Sequence, residues 1–208
     1  ILDAYTLSYH STVSKPAADD FLEGHHNFNY IRNSVKVVVD AYDGNVDYYI
    51  SDPSDPIIRA YSSAYPGLFK DLNQMPLELR KHLRYPRDLY SMQMKIYAKY
   101  HQSNPALFYE QAETWEQAKV HGQPVLPYYQ TMDFGNCNDI EEFVMIHPMT
   151  PFNRDNLSII GIAGIMDKAS CGLDYKPNIT VYKFGKDTQV NGPAQVEALI
   201  QQDPIISE

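Results

Sequence analysis

The chain has 208 residues, with 17 Lys and Arg against 26 Asp and Glu and a formal charge of −9. That length buries a core as one domain or two small ones, and the negative balance speaks against a nucleic-acid surface or a polybasic membrane anchor. The longest nearly unbroken apolar run, Leu157 to Met166, falls far short of the roughly 20 residues of a membrane span, so this chain is not expected to cross a bilayer.

Ile1 stands first with no charged-then-apolar leader behind it, and the chain stops after QDPIISE. It reads as an excised piece of a longer protein. Residues 1–9 alternate well enough for a strand, and residues 10–28 form a polar loop containing His25 and His26. Adjacent histidines suit a metal, but nothing stands beside them at ligand spacing, and a solvated loop is the simpler reading.

The stretch from Tyr30 to Pro53 predicts a β-hairpin turning on Asp43-Gly44, two residues that tolerate positive φ. Folding there pairs Ala41 with Val46, Val39 with Tyr48 and Val37 with Ile50. The Val face is expected to be buried, and the face with Lys36, Asp40 and Asp47 to be wetter. Asp40 and Asp47 then lie opposite one another, a weak candidate cation site.

A helical stretch follows. Asp55 before Pro56 is an N-cap with proline at the first helical position, and Ile57, Ile58, Tyr61, Ala64 and Tyr65 share one face until Pro66-Gly67. A short helix covers residues 77–84. A longer one after Pro86 carries the stripe Leu89, Met92, Ile96 and Tyr100. Asn104-Pro105 repeats the cap-and-proline start, and Trp115, the sole tryptophan, is read as clamping this excursion to a sheet.

From Pro124 the period changes. Residues 125–132, 142–147, 157–166 and 178–184 predict four antiparallel strands. The third is apolar on both faces and so central, with Gly161 and Gly164 admitting a covering helix. Gly192-Pro193 starts a last helix expected to bury Val196, Leu199 and Ile200. The expected fold is α+β: one mainly antiparallel sheet of N-terminal hairpin and C-terminal strands, with residues 55–119 as a helical insertion in a single 1–208 domain.

Chemistry is harder to find. The chain has no GxSxG elbow, HExxH, CxxC or phosphate-binding loop, and DAYDGNVD fails as a calcium loop because Val39, Ala41 and Ile50 stand where oxygen ligands belong. No cofactor is expected. Arg154, Asp155 and Asn156 form a speculative binding group before the central strand, with Arg154 as an anion-binding fork; the plainer reading has them satisfying loop carbonyls and amides. His147 reads as a satisfied edge histidine. Alternation of the four strands puts the loops with Cys137 and Cys171 at one end of the sheet, within reach of a disulfide or of remaining two free thiols.

NYIRNSVKVVVDAYDG, DPIIRAY, PGLF, RYPRDLY, the Tyr-His of Tyr100-His101, PALFY, TPFNRDN, GPAQVEALI and QDPIIS occur in that order. Together they resemble uncharacterised protein family 0182. The resemblance implies a bacterial envelope protein with a multi-helix membrane region and a long region outside the membrane. This chain would belong to the external part, where a disulfide persists. The partners implied are its own membrane region and other envelope proteins. No activity comes with the resemblance. A non-catalytic interaction module is the leading expectation; a carbohydrate-binding module using some of the 17 tyrosines, or an envelope-polymer hydrolase built on two scattered carboxylates, is the alternative.

Overall fold

The computed structural model describes residues 1–17, 27–111, 113–133, 141–166, 175–185 and 188–203. His25, His26, Cys137 and Cys171 lie outside these. The chain is α+β, and its backbone gathers into two compact units, Ile1–Leu89 and Tyr90–Glu208.

In the first unit, β1 (Leu2–Ser8), β2 (Tyr30–Val39), β3 (Val46–Ile50) and β4 (Phe69–Asp71) make a sheet in that order. The first three are antiparallel, whereas β4 runs parallel to β3. Between β3 and β4 lies α1 (Pro56–Ala64), capped by Asp55 with Pro56 leading, as the sequence predicts. A 3-10 turn (Leu72–Gln74) and α2 (Leu77–Arg80) follow, and α3 (Arg87–Tyr100) begins here.

The hairpin forms, but its register differs from the expected one by two residues: Val39 faces Val46, Val37 faces Tyr48 and Val35 faces Ile50. The loop is longer than a two-residue turn, because the Asp40 carboxylate accepts the amides of Tyr42 and Asp43 at 2.8 and 3.3 Å, and the Gly44 amide reaches the Asp40 carbonyl. Gly44, at φ +71°, takes the left-handed position that closes it. A two-residue shift keeps side chains on their predicted faces, and Val35 is buried and Asp40 exposed as expected, yet the rest of the burial expectation fails. Lys36 is 1% exposed and Tyr49 is buried, whereas Val39 is 46% exposed. Val39→Asp is therefore expected to cost under about 1 kcal/mol, as for an ordinary surface change. A loss of several kcal/mol in urea unfolding would restore the original face assignment.

The second unit takes in the rest of α3, then α4 (Pro105–Glu110), capped by Asn104. Next come β5 (Trp115–Gln117), a small hairpin of β6 (Lys119–Val120) and β7 (Gln123–Pro124), β8 (Tyr128–Met132), β9 (Glu142–Pro151), β10 (Asn156–Leu157), β11 (Ile159–Met166), β12 (Tyr175–Lys183), β13 (Val190–Asn191) and α5 (Pro193–Gln201). The main sheet runs β12-β11-β9, with β5 and β8 both pairing β9, and every pairing is antiparallel. The four predicted strands correspond to β8, β9, β11 and β12, and β11 is internal with both neighbours paired. They form a sheet separate from the N-terminal hairpin, not one continuous sheet. The hairpin instead completes its sheet locally, using β1 and the short β4.

A helix does approach the central strand through glycine. A Cβ at Gly161 would stand 2.5 Å from the Tyr90 hydroxyl and 2.6 Å from Met94 Cε, both on α3. The buried face of α3 is accordingly Tyr90, Met94 and Ala98, joined by Met92; Ile96 and Tyr100 of the expected stripe are exposed. Past the end of α3, the His101 ring stacks on Trp115 at 3.4 Å and 5°, and Lys183 Nζ sits 5.1 Å over the indole. Trp115 on β5 thus joins the end of α3 to the sheet.

Candidate functional site

Proline at the start of α1 leaves its first amides to be satisfied from outside, and Asp55 does this from a fully buried position. Its carboxylate accepts from Ile57 N at 3.0 Å, Thr6 Oγ1 at 2.5 Å, Ser34 Oγ at 2.6 Å and Tyr30 OH at 2.7 Å. One loop residue thereby ties α1 to both β1 and β2. Burial alone would raise the carboxyl's pKa, but the hydrogen bonds outweigh it and hold it at about 2. The Tyr30 phenol is pushed up to about 12 by burial and by that carboxylate.

Two positions along β2, Lys36 stands opposite Asp3 in the β1 ladder. Its ammonium pairs with the Asp3 carboxylate and reaches the Arg84 carbonyl at 3.4 Å. Burial lowers the Lys36 pKa, and Asp3 acts against that shift. Asp88 has its carboxyl raised by burial and by the Asp3 charge, against the pull of Arg87. Asp3 and Asp88 are thus close enough for their charges to act on one another, and Asp3 is committed to Lys36.

In the second unit, His147 is 1% exposed, and neither ring nitrogen has a hydrogen-bond partner among the described residues. It sits on the internal strand β9, packed 5.9 Å from the Tyr90 ring. Burial alone takes its pKa down to about 4, so the imidazole is neutral. The expectation of a satisfied edge histidine is corrected on both counts.

The residues singled out from the sequence are placed apart from these clusters. Asp40 lies beside Asn45 and spends its carboxylate on its own loop. Asp47 faces Val38, not Asp40, and pairs with Lys70 at 2.6 Å, which holds its pKa below the usual carboxylate range. The two acids therefore do not make a ladder pair. Arg154 and Asp155 are exposed in the loop entering β10, and Asn156 begins the β10–β13 ladder, opposite Asn191. That loop turns at Asn153, whose φ is +57° and whose amide donates to Glu116 Oε1 at 2.8 Å. The Asp155 carbonyl lies directly over Gly192 at the start of α5, where a Cβ would overlap it. Gly192→Ala should consequently cost about 2 kcal/mol by overpacking against rigid backbone, read as a lower melting temperature; an unchanged melt would show that the loop yields freely.

The last helix does not bury the residues expected, and none of its side chains is fully buried. Val196, Leu199 and Ile200 are 43%, 55% and 43% exposed, an apolar stripe at helical spacing turned to solvent. In the first unit Tyr61 of α1 and Tyr65, just past its end, share one face as expected and stack at 6.4 Å, both exposed.

The sequence profile of the Uncharacterised protein family (UPF0182) matches residues 1–208. The chain belongs to UPF0182. UPF0182 proteins of Methylococcus capsulatus, Syntrophobacter fumaroxidans and Microcystis aeruginosa are 48%, 45% and 45% identical to it over the whole of this chain. The chain spans 25%, 23% and 21% of their respective lengths. No solved structure matches it. Among the described residues of this UPF0182 chain, no helix is long and apolar enough to cross a membrane.

Sequence reasoning missed the Asp55 hub, the Lys36–Asp3 pair and the environment of His147. Asp55 was visible only as a helix cap; its three hydroxyl partners come from strands 21 to 49 residues away.

Proposed function

We propose that this region is a non-catalytic assembly module, lying on the external side of a bacterial membrane and docking the remainder of its own longer polypeptide. The single observation that carries the reading is the α5 stripe of Val196, Leu199 and Ile200, three apolar side chains about half exposed on one face. A contiguous exposed apolar surface favours a partner over water. The relatives are about four to five times as long as this chain, which supplies a candidate partner in the same molecule. The external location rests on the resemblance to envelope proteins. The described polar clusters support the reading further: Asp55 and Lys36 spend their charges holding strands and helix together.

The test expresses the 208-residue region and the remainder of a full-length relative as separate polypeptides in one cell and measures their association. Leu199→Glu should weaken it at least tenfold by placing a charge in an apolar interface, while the melting temperature of the isolated region stays within a few degrees. Association unaffected by Leu199→Glu and by Val196→Glu would overturn the proposal. Turnover of a glycan reporter that is abolished by Asp88→Asn would replace it with the hydrolase reading.

A further inference from the structure

Residues two apart on a strand share a face, so Met145, His147 and Met149 of β9 point the same way. Met145 is fully buried and Met149 is 2% exposed. Across the ladder from His147 stands Gly161, which contributes no side chain. α3 fills that gap: Met94 Sδ lies 3.0 Å from the position a Gly161 Cβ would take, and Met94 is itself buried. The result is an imidazole with neither nitrogen hydrogen-bonded to a described residue, on the buried sheet face that carries Met145 and Met149 and that Met94 covers at Gly161.

A buried polar group without a partner calls for an explanation. Methionine is a good filler of irregular gaps, and three of them alone would be core packing. The histidine is what packing does not explain. Leucine would fill its place without leaving two nitrogens unbonded, whereas a neutral imidazole beside thioethers is a soft nitrogen and sulfur donor set. Such donors select Cu(I) over harder cations. Charge argues the same way. Among the described residues no three or more His, Cys, Asp or Glu side chains gather as metal ligands, and burial is the one influence on the His147 imidazole, with no carboxylate charge acting on it; burying an uncompensated charge grows steeply more costly with its magnitude.

We propose that His147, Met94, Met145 and Met149 form a binding site for one Cu(I) ion between α3 and the central sheet. The thioethers carry no proton to lose and the imidazole is already neutral, so binding needs little proton release. Because the donors are closed from solvent, the ion enters as the chain folds or when α3 lifts from Gly161, and it leaves slowly. The site does not depend on the α5 stripe.

The test uses the 208-residue chain with Cys137→Ser and Cys171→Ser, which removes the thiols as competing Cu(I) ligands. The protein is refolded anaerobically with Cu(I) and titrated against bicinchoninate, with Ag(I) as a redox-inert parallel and Zn(II) as the control. One equivalent of Cu(I) should be retained, with a higher melting temperature and an X-ray absorption spectrum of mixed sulfur and nitrogen ligation. Met94→Leu with Met149→Leu nearly conserves volume and should lower Cu(I) affinity at least 100-fold while the metal-free melt moves by a few degrees. If that double variant does not fold, Met145→Leu alone makes the same comparison, with at least a tenfold loss expected. Failure to compete with bicinchoninate, equal affinity in the leucine variants, or Zn(II) bound as tightly as Cu(I) would each overturn the proposal.

Discussion

Asp55→Ala is expected to destabilise the Ile1–Leu89 unit by about 4 kcal/mol. The change removes a helix N-cap, worth about 1 kcal/mol, and takes the shared acceptor from the hydroxyls of Thr6, Ser34 and Tyr30; Thr6 and Ser34 lie 3.1 Å apart and can bond one another, so the further cost is that of one to two unsatisfied donors at roughly 1 to 3 kcal/mol each. Asp55→Asn keeps an acceptor oxygen but turns an NH2 toward hydroxyl donors, so it should fall between alanine and the native residue. The readout is native-state hydrogen exchange of the β2 amides, because Trp115, the only tryptophan, lies in the other unit and its fluorescence serves as an internal control. A loss below about 1 kcal/mol would show that water replaces the carboxylate without penalty.

The same carboxylate sets an acid limit. Its pKa in the fold is about 2, against 3.8 for an unperturbed Asp. Below the ordinary value the unfolded chain takes up a proton that the folded chain refuses. The stabilisation is therefore complete above about pH 4 and is lost progressively as pH falls toward 2, amounting to about 2 kcal/mol. Asp55→Asn should remove that part of the acid slope.

The second large effect concerns Lys36. Asp3→Ala is expected to cost about 3 kcal/mol, because it takes the paired carboxylate away from an ammonium in a site 1% exposed, 3.4 Å from the Arg84 carbonyl. Breaking a buried ion pair from one side is far worse than replacing the charge by an apolar side chain of similar shape. Lys36→Met should accordingly be neutral or mildly stabilising, since Asp3 keeps some access to water. Lys36→Met combined with Asp3→Ala should recover most of the loss from Asp3→Ala alone. Urea unfolding of the three variants decides it: if Lys36→Met proves as damaging as Asp3→Ala, the aliphatic stem and its packing matter more than the charge.

Both predictions lie where the sequence pattern pointed elsewhere. The Val-rich side of β2 was expected inside, because a period-two alternation of Val with Lys and Asp reads as one dry face and one wet face. Alternation correctly assigns residues to faces, and even a two-residue change of register preserved that. It cannot reveal that a polar face is roofed by acids from other segments. Asp3 lies 33 residues from Lys36, and Asp55 lies 21 residues from Ser34. The α3 stripe failed at Ile96 and Tyr100, though not at Met92, for a related reason. Leu89, Met92, Ile96 and Tyr100 are the more hydrophobic line along the helix, but the space left by Gly161 and the Trp115–His101 stack turn the Tyr90 and Met94 side inward.

What the sequence by itself determined are the features with local causes. Proline behind Asp55 and Asn104 starts α1 and α4, because a first-turn residue needs no amide hydrogen and a carboxylate or amide oxygen can cap the next amides. Asp43-Gly44 lies within the hairpin loop, and the double-sided apolar run 157–166 supplies the internal strand β11, since only burial on both faces suits such a run. The tertiary structure alone decided that the hairpin and the later strands form separate sheets, that α5 turns Leu199 outward, and that His147 is buried against Tyr90 with its nitrogens unbonded by described residues. Each of these depends on residues far apart in the chain being brought to one place, and local propensity carries no record of which distant side chain will arrive there.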